Sequence, residues 1–89
     1  MSGDAVRYLV LVMRQPGFDP ALLPRHAAFL ADLRAQGLLE MSGGFDDRSG
    51  GAYLLRGVAD LAAAEAIAAA DPLVLHGAST AHVRGWRAH

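Results

Sequence analysis

An unbroken apolar segment near the start of the sequence places the tightest limit on the fold. Residues 7–14 read Arg-Tyr-Leu-Val-Leu-Val-Met-Arg, a β-type run between two arginines. Successive side chains of a strand point to opposite faces, and both alternating sets are apolar here. They are Tyr8, Val10 and Val12 on one face and Leu9, Leu11 and Met13 on the other. Such a strand needs cover on both faces of its sheet.

Turn-forming residues divide the rest of the chain into the remaining elements. Asp19-Pro20 and Asp71-Pro72 are helix starts, because Asp caps a helix and Pro suits its first turn. The first predicted helix has a loose first turn at 20–23, becomes regular near Pro24 and stops at Gly37. A strand at 38–42, a hairpin loop at 43–51 and a strand at 52–56 follow it. The chain then forms a helix from Asp60 to about Ala70, one further helical turn before Gly77, and a last strand at 79–86.

The order βαββαβ predicts one α+β domain over residues 1–89 with a ferredoxin-like fold. In that arrangement an antiparallel four-stranded sheet carries both helices on one face. The other face would expose the second apolar set of the first strand unless another copy of the chain covers it. Two-fold symmetric dimers are the commonest solution, so we expect a homodimer joined through the open sheet face.

Composition removes several classes of function. The net charge is −1, and all eight basic residues are Arg, so no basic excess predicts binding to nucleic acid or to an anionic membrane. The chain has neither Lys nor Cys, which excludes Schiff-base and thiol chemistry. The histidines lack metal-ligand spacing. We therefore expect a cytoplasmic protein with no cofactor and no metal, and with a small-molecule ligand.

Five short motifs resemble the YCII-related family over nearly the whole chain. They are the helix segment at 19–30 with its single histidine, Ser42-Gly43-Gly44-Phe45, the strand at 51–55, Asp71-Pro72, and Val83-Arg84-Gly85-Trp86. Gly44 and Gly85 stand where family members often have Pro, and Leu73 where an aromatic residue commonly follows. The resemblance implies a dimeric α/β-barrel fold. It also implies a lyase-type activity on hydroxylated or chlorinated rings, served by a His–Asp pair.

His26 and Asp71 are the candidate catalytic residues. His26 lies on the apolar side of the first helix. The predicted inward stripe of the second helix is Leu61, Ala64, Ile67 and Ala68, and Asp71 continues it, so neighbouring helices can bring His26 and Asp71 together. A carboxylate beside an imidazole fixes its tautomer, as in general-base pairs. The structural alternatives stay open: His26 as a core histidine, and Asp71 as an ordinary helix cap.

The glycine-rich segment 43–51 leads into a strand, so it is neither a P-loop nor a dinucleotide fingerprint. Ser42 and Phe45 beside it are the predicted ligand contacts, although Ser42 can equally satisfy the turn. Two functions from different classes follow. One is a small enzyme that uses His26 and Asp71 for proton transfer or elimination on a small cyclic or carbonyl compound. The other is a non-catalytic module that binds a small molecule.

Overall fold

A computed structural model describes residues 5–88 as a four-stranded antiparallel sheet with helices packed against it. The strands lie in the order β2-β3-β1-β4, and each pairs antiparallel with its neighbour. The elements are β1 (Ala5–Arg14), a 3-10 turn (Pro20–Leu22), α1 (Leu23–Ala35), β2 (Leu39–Gly44), β3 (Gly50–Leu55), α2 (Leu61–Ala70), α3 (Pro72–Leu75) and β4 (Ser79–Ala88). The predicted α+β class and βαββαβ order are confirmed.

The hydrophobic core lies on one face of this sheet. Tyr8, Val10 and Val12 of β1 are buried there, and residues opposite them in the ladders point to the same face. Leu33 of α1, Ala64 and Ala68 of α2, and Leu73 of α3 complete the cluster. Since all the helical core residues meet this one set of strand side chains, the helices cover a single face, as predicted.

The start of α1 follows the predicted pattern. The Asp19 side chain accepts a hydrogen bond from the Ala21 amide at 3.0 Å, and Pro20 opens the 3-10 turn. Pro24 then falls in the first turn of α1, where a backbone amide has no partner within the helix and a proline is tolerated. The loose first turn before Pro24 is therefore confirmed.

The glycine-rich hairpin is shorter than predicted. The expected loop at 43–51 contracts to residues 45–49, because Gly43 and Gly44 extend β2 while Gly50 and Gly51 begin β3. A Cβ at Gly51 would lie only 2.4 Å from a backbone oxygen of β2, so the strands approach more closely than a larger residue permits. These glycines therefore serve strand pairing.

A β-bulge at residue 40 sets which β2 side chains face the helices. The register shifts between Leu39 and Met41, which leaves Glu40 as the extra residue. Leu39 is buried in the core, and Ser42 pairs with core-facing Tyr53. Strict alternation would put Leu39 and Ser42 on opposite faces, so the bulge is what brings both to the helical side.

The second helix is capped by Asp60, whose side chain accepts from the Ala63 amide at 2.8 Å. Ala64 and Ala68 are buried as predicted, but Leu61 is 45% exposed. The prediction that Leu61 belongs to the inward stripe is wrong, because the buried residues of α2 are Ala64 and Ala68, in its second and third turns. None of the helices between residues 5 and 88 is long and apolar enough to cross a membrane.

No helix of residues 5–88 covers the other face of the sheet, which we call the open face. That face carries many apolar side chains. Leu9 and Leu11 are half-buried there, and Leu54 is buried. The exposed members are Met13, Met41 and Trp86, placed on this face by their registers with Leu9 and its neighbours. His82 and Arg84 of β4 also lie on this face.

Candidate functional site

Asp71 is the most deeply buried polar residue of the site, with 0% of its surface exposed. It lies between α2 and α3 and caps α3, accepting a hydrogen bond from the Leu73 amide at 3.0 Å. Its Oδ1 also contacts His26 Nδ1 at 2.9 Å, and the Tyr53 hydroxyl donates to Oδ2 at 3.1 Å. Three donors from three elements therefore converge on one carboxyl group, which offsets its burial.

His26 projects from α1 and meets Asp71 through Nδ1. An ionised carboxylate can only accept a hydrogen bond, so in the neutral ring Nδ1 carries the hydrogen and donates it, while Nε2 carries a lone pair. The hydrogen bonds among residues 5–88 include none to Nε2. The side chain is 19% exposed, and its ring stands 6.2 Å from that of Tyr53. Its free nitrogen can therefore act as a base.

A half-open cavity of about 290 Å³ lies beside this pair. His26, Leu23 and Leu30 line it from α1, and the ends of all four strands line it from the sheet. The strand residues are Val12, Arg14, Ser42, Gly43, Gly44, Gly50, Gly51, Ala52, Tyr53 and Ser79, with Leu73 from α3. The cavity thus combines apolar walls with a few polar groups, as small-molecule sites do.

The structure brings three of the four predicted site residues together. His26 and Asp71 are in hydrogen-bond contact, which confirms that predicted geometry. Ser42 lines the cavity, but Phe45 does not. Phe45 lines a shallower depression of about 330 Å³, together with open-face residues such as Leu9 and Trp86. Ser42 lies at the boundary and lines both spaces, whereas Phe45, three positions further along the chain, lines only the open-face depression of the two.

Tyr53 is the site residue that the sequence interpretation missed. In the sequence it appears only as part of the strand motif that resembles the family, and no neighbouring residue indicates a functional role for its hydroxyl. The available signal is physical: a buried tyrosine needs a partner for its hydroxyl, and Asp71 is that partner. Phe29 packs edge-on against the Tyr53 ring, with centroids 6.5 Å apart, and helps to fix it.

Burial raises the pKa of the Tyr53 hydroxyl, and the charge of Asp71 and their hydrogen bond raise that pKa further. The folded protein therefore keeps this proton at a pH where an unfolded tyrosine, with a pKa of about 10, loses it. The contribution of Tyr53 to the free energy of unfolding is therefore complete below pH ~10 and decreases as the pH rises further. We expect the free energy of unfolding to fall by up to about 1.4 kcal/mol per pH unit in that range.

Urea denaturation at several pH values between 9 and 11.5 measures this effect, with Tyr53→Phe as the comparison. The chain has no Lys or Cys and only two tyrosines, so few other side chains titrate in that range. The Tyr53→Phe protein should show a correspondingly flatter pH dependence. Parallel curves for the two proteins would mean that Tyr53 ionises as easily in the folded state as in the unfolded state.

Within residues 5–88, no three His, Asp or Glu side chains come together in the manner of metal ligands. The charged and polar groups at the cavity instead come as a His–Asp–Tyr network, two serines and Arg14. This set can orient a base and hydrogen-bond a ligand through side chains alone.

Comparison with known proteins identifies the family. Residues 6–87 match the model of the YCII-related domain, so the chain belongs to the YCII-related family, as its motifs indicated. It is 40% identical over 80 residues to YjpA of Bacillus subtilis (strain 168), a protein described as uncharacterized. That alignment covers 90% of this chain and 93% of YjpA.

Among solved structures, the chain is similar to the 5-chloro-2-hydroxyhydroquinone dehydrochlorinase TftG of Burkholderia phenoliruptrix AC1100, in complex with 2,5-dihydroxybenzoquinone. The TM-score is 0.69, and the alignment covers 93% of this chain and 95% of TftG. The two sequences are 18% identical. At that identity the likeness establishes a shared fold, and nothing about a shared reaction.

Proposed function

We propose that this protein is a small enzyme in which His26, oriented by Asp71, moves a proton on a small cyclic or carbonyl compound bound in the cavity. The observation that carries the proposal is the state of the His26 ring. Nδ1 is hydrogen-bonded to buried Asp71 at 2.9 Å, while the ring lines the cavity and no group of residues 5–88 bonds to Nε2. A fixed tautomer with its free lone pair beside a ligand space is what a general base requires.

The proposed step is proton abstraction followed by elimination. Nε2 takes a proton from a carbon or hydroxyl oxygen of the substrate, and the electrons of the broken bond form a new double bond. The leaving group departs with its bonding pair, and the imidazolium afterwards releases the proton to solvent. The products are an unsaturated compound and one equivalent of acid, and no oxidant or reductant is consumed.

One solved structure of similar fold belongs to an enzyme of this reaction class. TftG, whose fold is similar, is a dehydrochlorinase, and a dehydrochlorination removes the elements of HCl by the same sequence of bond changes. Tyr53 supports it as well, because its hydroxyl holds the second oxygen of Asp71 at 3.1 Å. Asp71 is thereby kept from rotating away from His26.

Proton abstraction can be tested before the natural substrate is known. The purified protein is incubated in D₂O with small hydroxylated rings, halogenated phenols and enolisable ketones, and loss of C–H signals is followed by ¹H NMR. We expect exchange above the buffer rate for at least one compound. His26→Gln should lower that rate by about 10²–10⁴-fold, the usual contribution of a general base.

The matched control is His76→Gln, since His76 is exposed and does not line the cavity. That variant should exchange at the wild-type rate, and both variants should melt within about 8 °C of wild type. Binding of these compounds without any proton exchange, in wild type and His26→Gln alike, would contradict the proposed enzyme activity and favour a non-catalytic binding module.

We also propose that the protein is a homodimer joined through the open face. Met13, Met41 and Trp86 are exposed large apolar side chains on that face, and soluble chains rarely leave such a patch unpartnered. The patch continues into the apolar depression that Leu9 and Leu54 line. A second copy offers the same apolar surface, so a two-fold contact satisfies both subunits.

A further inference from the structure

The Ser79 hydroxyl is a buried polar group that has no hydrogen-bond partner in the part of the chain that the structure describes. Ser79 is 4% exposed, and its Oγ makes no hydrogen bond within the described residues 5–88. Leaving such a group unpaired is unfavourable, and native proteins do so rarely. Ser79 lies on the wall of the cavity that His26 also lines. Ser79 therefore brings an unpaired hydroxyl to the wall of this cavity.

Arg14 lies next to Ser79 and brings a positive charge to the same end of the cavity. The two residues are opposite each other in the β1–β4 ladder, and both line the cavity. The Arg14 guanidinium carbon stands 4.3 Å from the centre of the Phe18 ring, a cation–π contact that holds the charge in place. Among residues 5–88, no carboxylate forms a salt bridge with it.

The size of the cavity limits what can bind. A cavity of about 150 Å³ accommodates benzene, so the 290 Å³ found here holds one substituted ring and little more. The ring would be bounded by apolar Val12, Leu23 and Leu30. Such a site favours a planar ligand whose polar groups are confined to its edge.

We infer that Arg14 and Ser79 form an oxyanion-binding end of the cavity, and that its ligand is a single-ring compound carrying a carboxylate or an ionised ring hydroxyl. Arg14 pairs with the negative charge, and Ser79 donates to the same group or to a neighbouring oxygen. His26 reaches the ring from α1, on a different wall. The inference rests on the proposed use of this cavity as a binding site, and it names the class of compound that the site takes.

Binding of simple probes tests the inference without any turnover. Calorimetry or ligand-observed NMR compares benzoate with benzamide, which has the same shape without the charge, and 4-nitrophenolate with nitrobenzene. We expect at least one anion to bind about tenfold more tightly than its neutral analogue, as a charge-assisted hydrogen bond predicts. Its Kd should rise with NaCl concentration, since salt screens the pairing with Arg14. The anion that binds identifies carboxylate or phenolate as the group recognised.

Two variants assign the effect to its residues. Arg14→Gln should remove the preference for the anion, while Arg34→Gln, a change at an exposed arginine outside the cavity, should keep it. Ser79→Ala should weaken anion binding about tenfold and leave the melting temperature unchanged or higher, because no protein hydrogen bond is lost. Thr80→Ala, a change at the exposed neighbouring residue, should affect neither quantity.

Equal affinity for charged and neutral probes would overturn the inference. So would a Ser79→Ala protein that melts lower and binds as wild type does, because the hydroxyl would then hold a structural water. Neither result touches proton exchange by His26, which is measured separately. Conversely, tight anion binding without exchange would leave this inference standing and remove the proposed reaction.

Discussion

Replacement of Asp71 by Ala is expected to lower the melting temperature by more than about 12 °C. The change removes the hydrogen-bond acceptor of the Leu73 amide, the Tyr53 hydroxyl and the His26 ring, which all bond to this carboxyl group. The Leu73 amide and the Tyr53 hydroxyl are buried and cost about 1–3 kcal/mol each when left unpaired. The partly exposed His26 ring loses a hydrogen bond to a charged group, worth about 1.5–3 kcal/mol, so the total is at least about 3 kcal/mol. For a domain of this size, each ~1 kcal/mol shifts the melting temperature by about 4–8 °C. Differential scanning calorimetry measures the change.

Asp71→Asn is the matched control, because its amide keeps most of the hydrogen bonds. The amide oxygen accepts from the Leu73 amide and from His26 Nδ1, and the amide nitrogen can donate to the Tyr53 oxygen. We expect melting within about 8 °C of wild type, with proton exchange reduced about tenfold or more because the charge behind the imidazole is gone. An Asp71→Ala protein as stable as wild type would show that the three donors find other partners.

Asp substitutions at two adjacent residues of β1 should have opposite effects on folding, and the first of them is the second large effect that we expect. Val10 is 0% exposed in the core, and Val10→Asp places a carboxylate there without a partner. The cost is several kcal/mol, comparable with the whole stability of about 4–13 kcal/mol expected for 89 residues. We expect an unfolded or aggregated protein by circular dichroism. Leu11 points to the open face instead, and Leu11→Asp should keep the domain folded.

The same pair of variants tests the proposed dimer. Light scattering of the wild type should give a mass near twice that of the 9.4 kDa chain, and Leu11→Asp should reduce it to one chain. Leu61→Asp is the control, since Leu61 is already exposed on α2 and its replacement should change neither fold nor mass. A monomeric wild type at micromolar concentration would contradict the dimer. A Leu11→Asp dimer would place the contact on another surface.

Much of the fold was predictable because its signals are local. Asp19-Pro20 and Asp71-Pro72 mark helix starts wherever they occur, since the cap and the fixed φ act within one turn. The alternation of Tyr8 to Met13 likewise requires only strand geometry. Boundaries were less certain where glycine was concentrated. The predicted loop at 43–51 became strand at both ends, because Gly44 and Gly51 pair with each other.

The candidate site was predictable only in part. His26 and Asp71 stand 45 residues apart, yet each lies on an inward helical stripe, so packing of the helices could be expected to join them. Phe45 was misplaced because adjacency to Ser42 in sequence says little about which face of a sheet a residue joins. No sequence pattern indicates Tyr53 or Ser79 as site residues, since the role of their hydroxyl groups follows only from their burial in the folded protein.

The sequence by itself determined the element order, the helix caps, the doubly apolar first strand and the family, because these depend on the spacing of residues along the chain. The tertiary structure alone decided that a bulge at Glu40 turns Ser42 toward the cavity, and that Tyr53 completes the hydrogen bonding of Asp71. It also decided that Ser79 and Arg14 stand together at one end of that cavity. Those contacts depend on strand register and on the packing of α1 over the sheet, in which residues distant along the chain meet, and no local pattern encodes them.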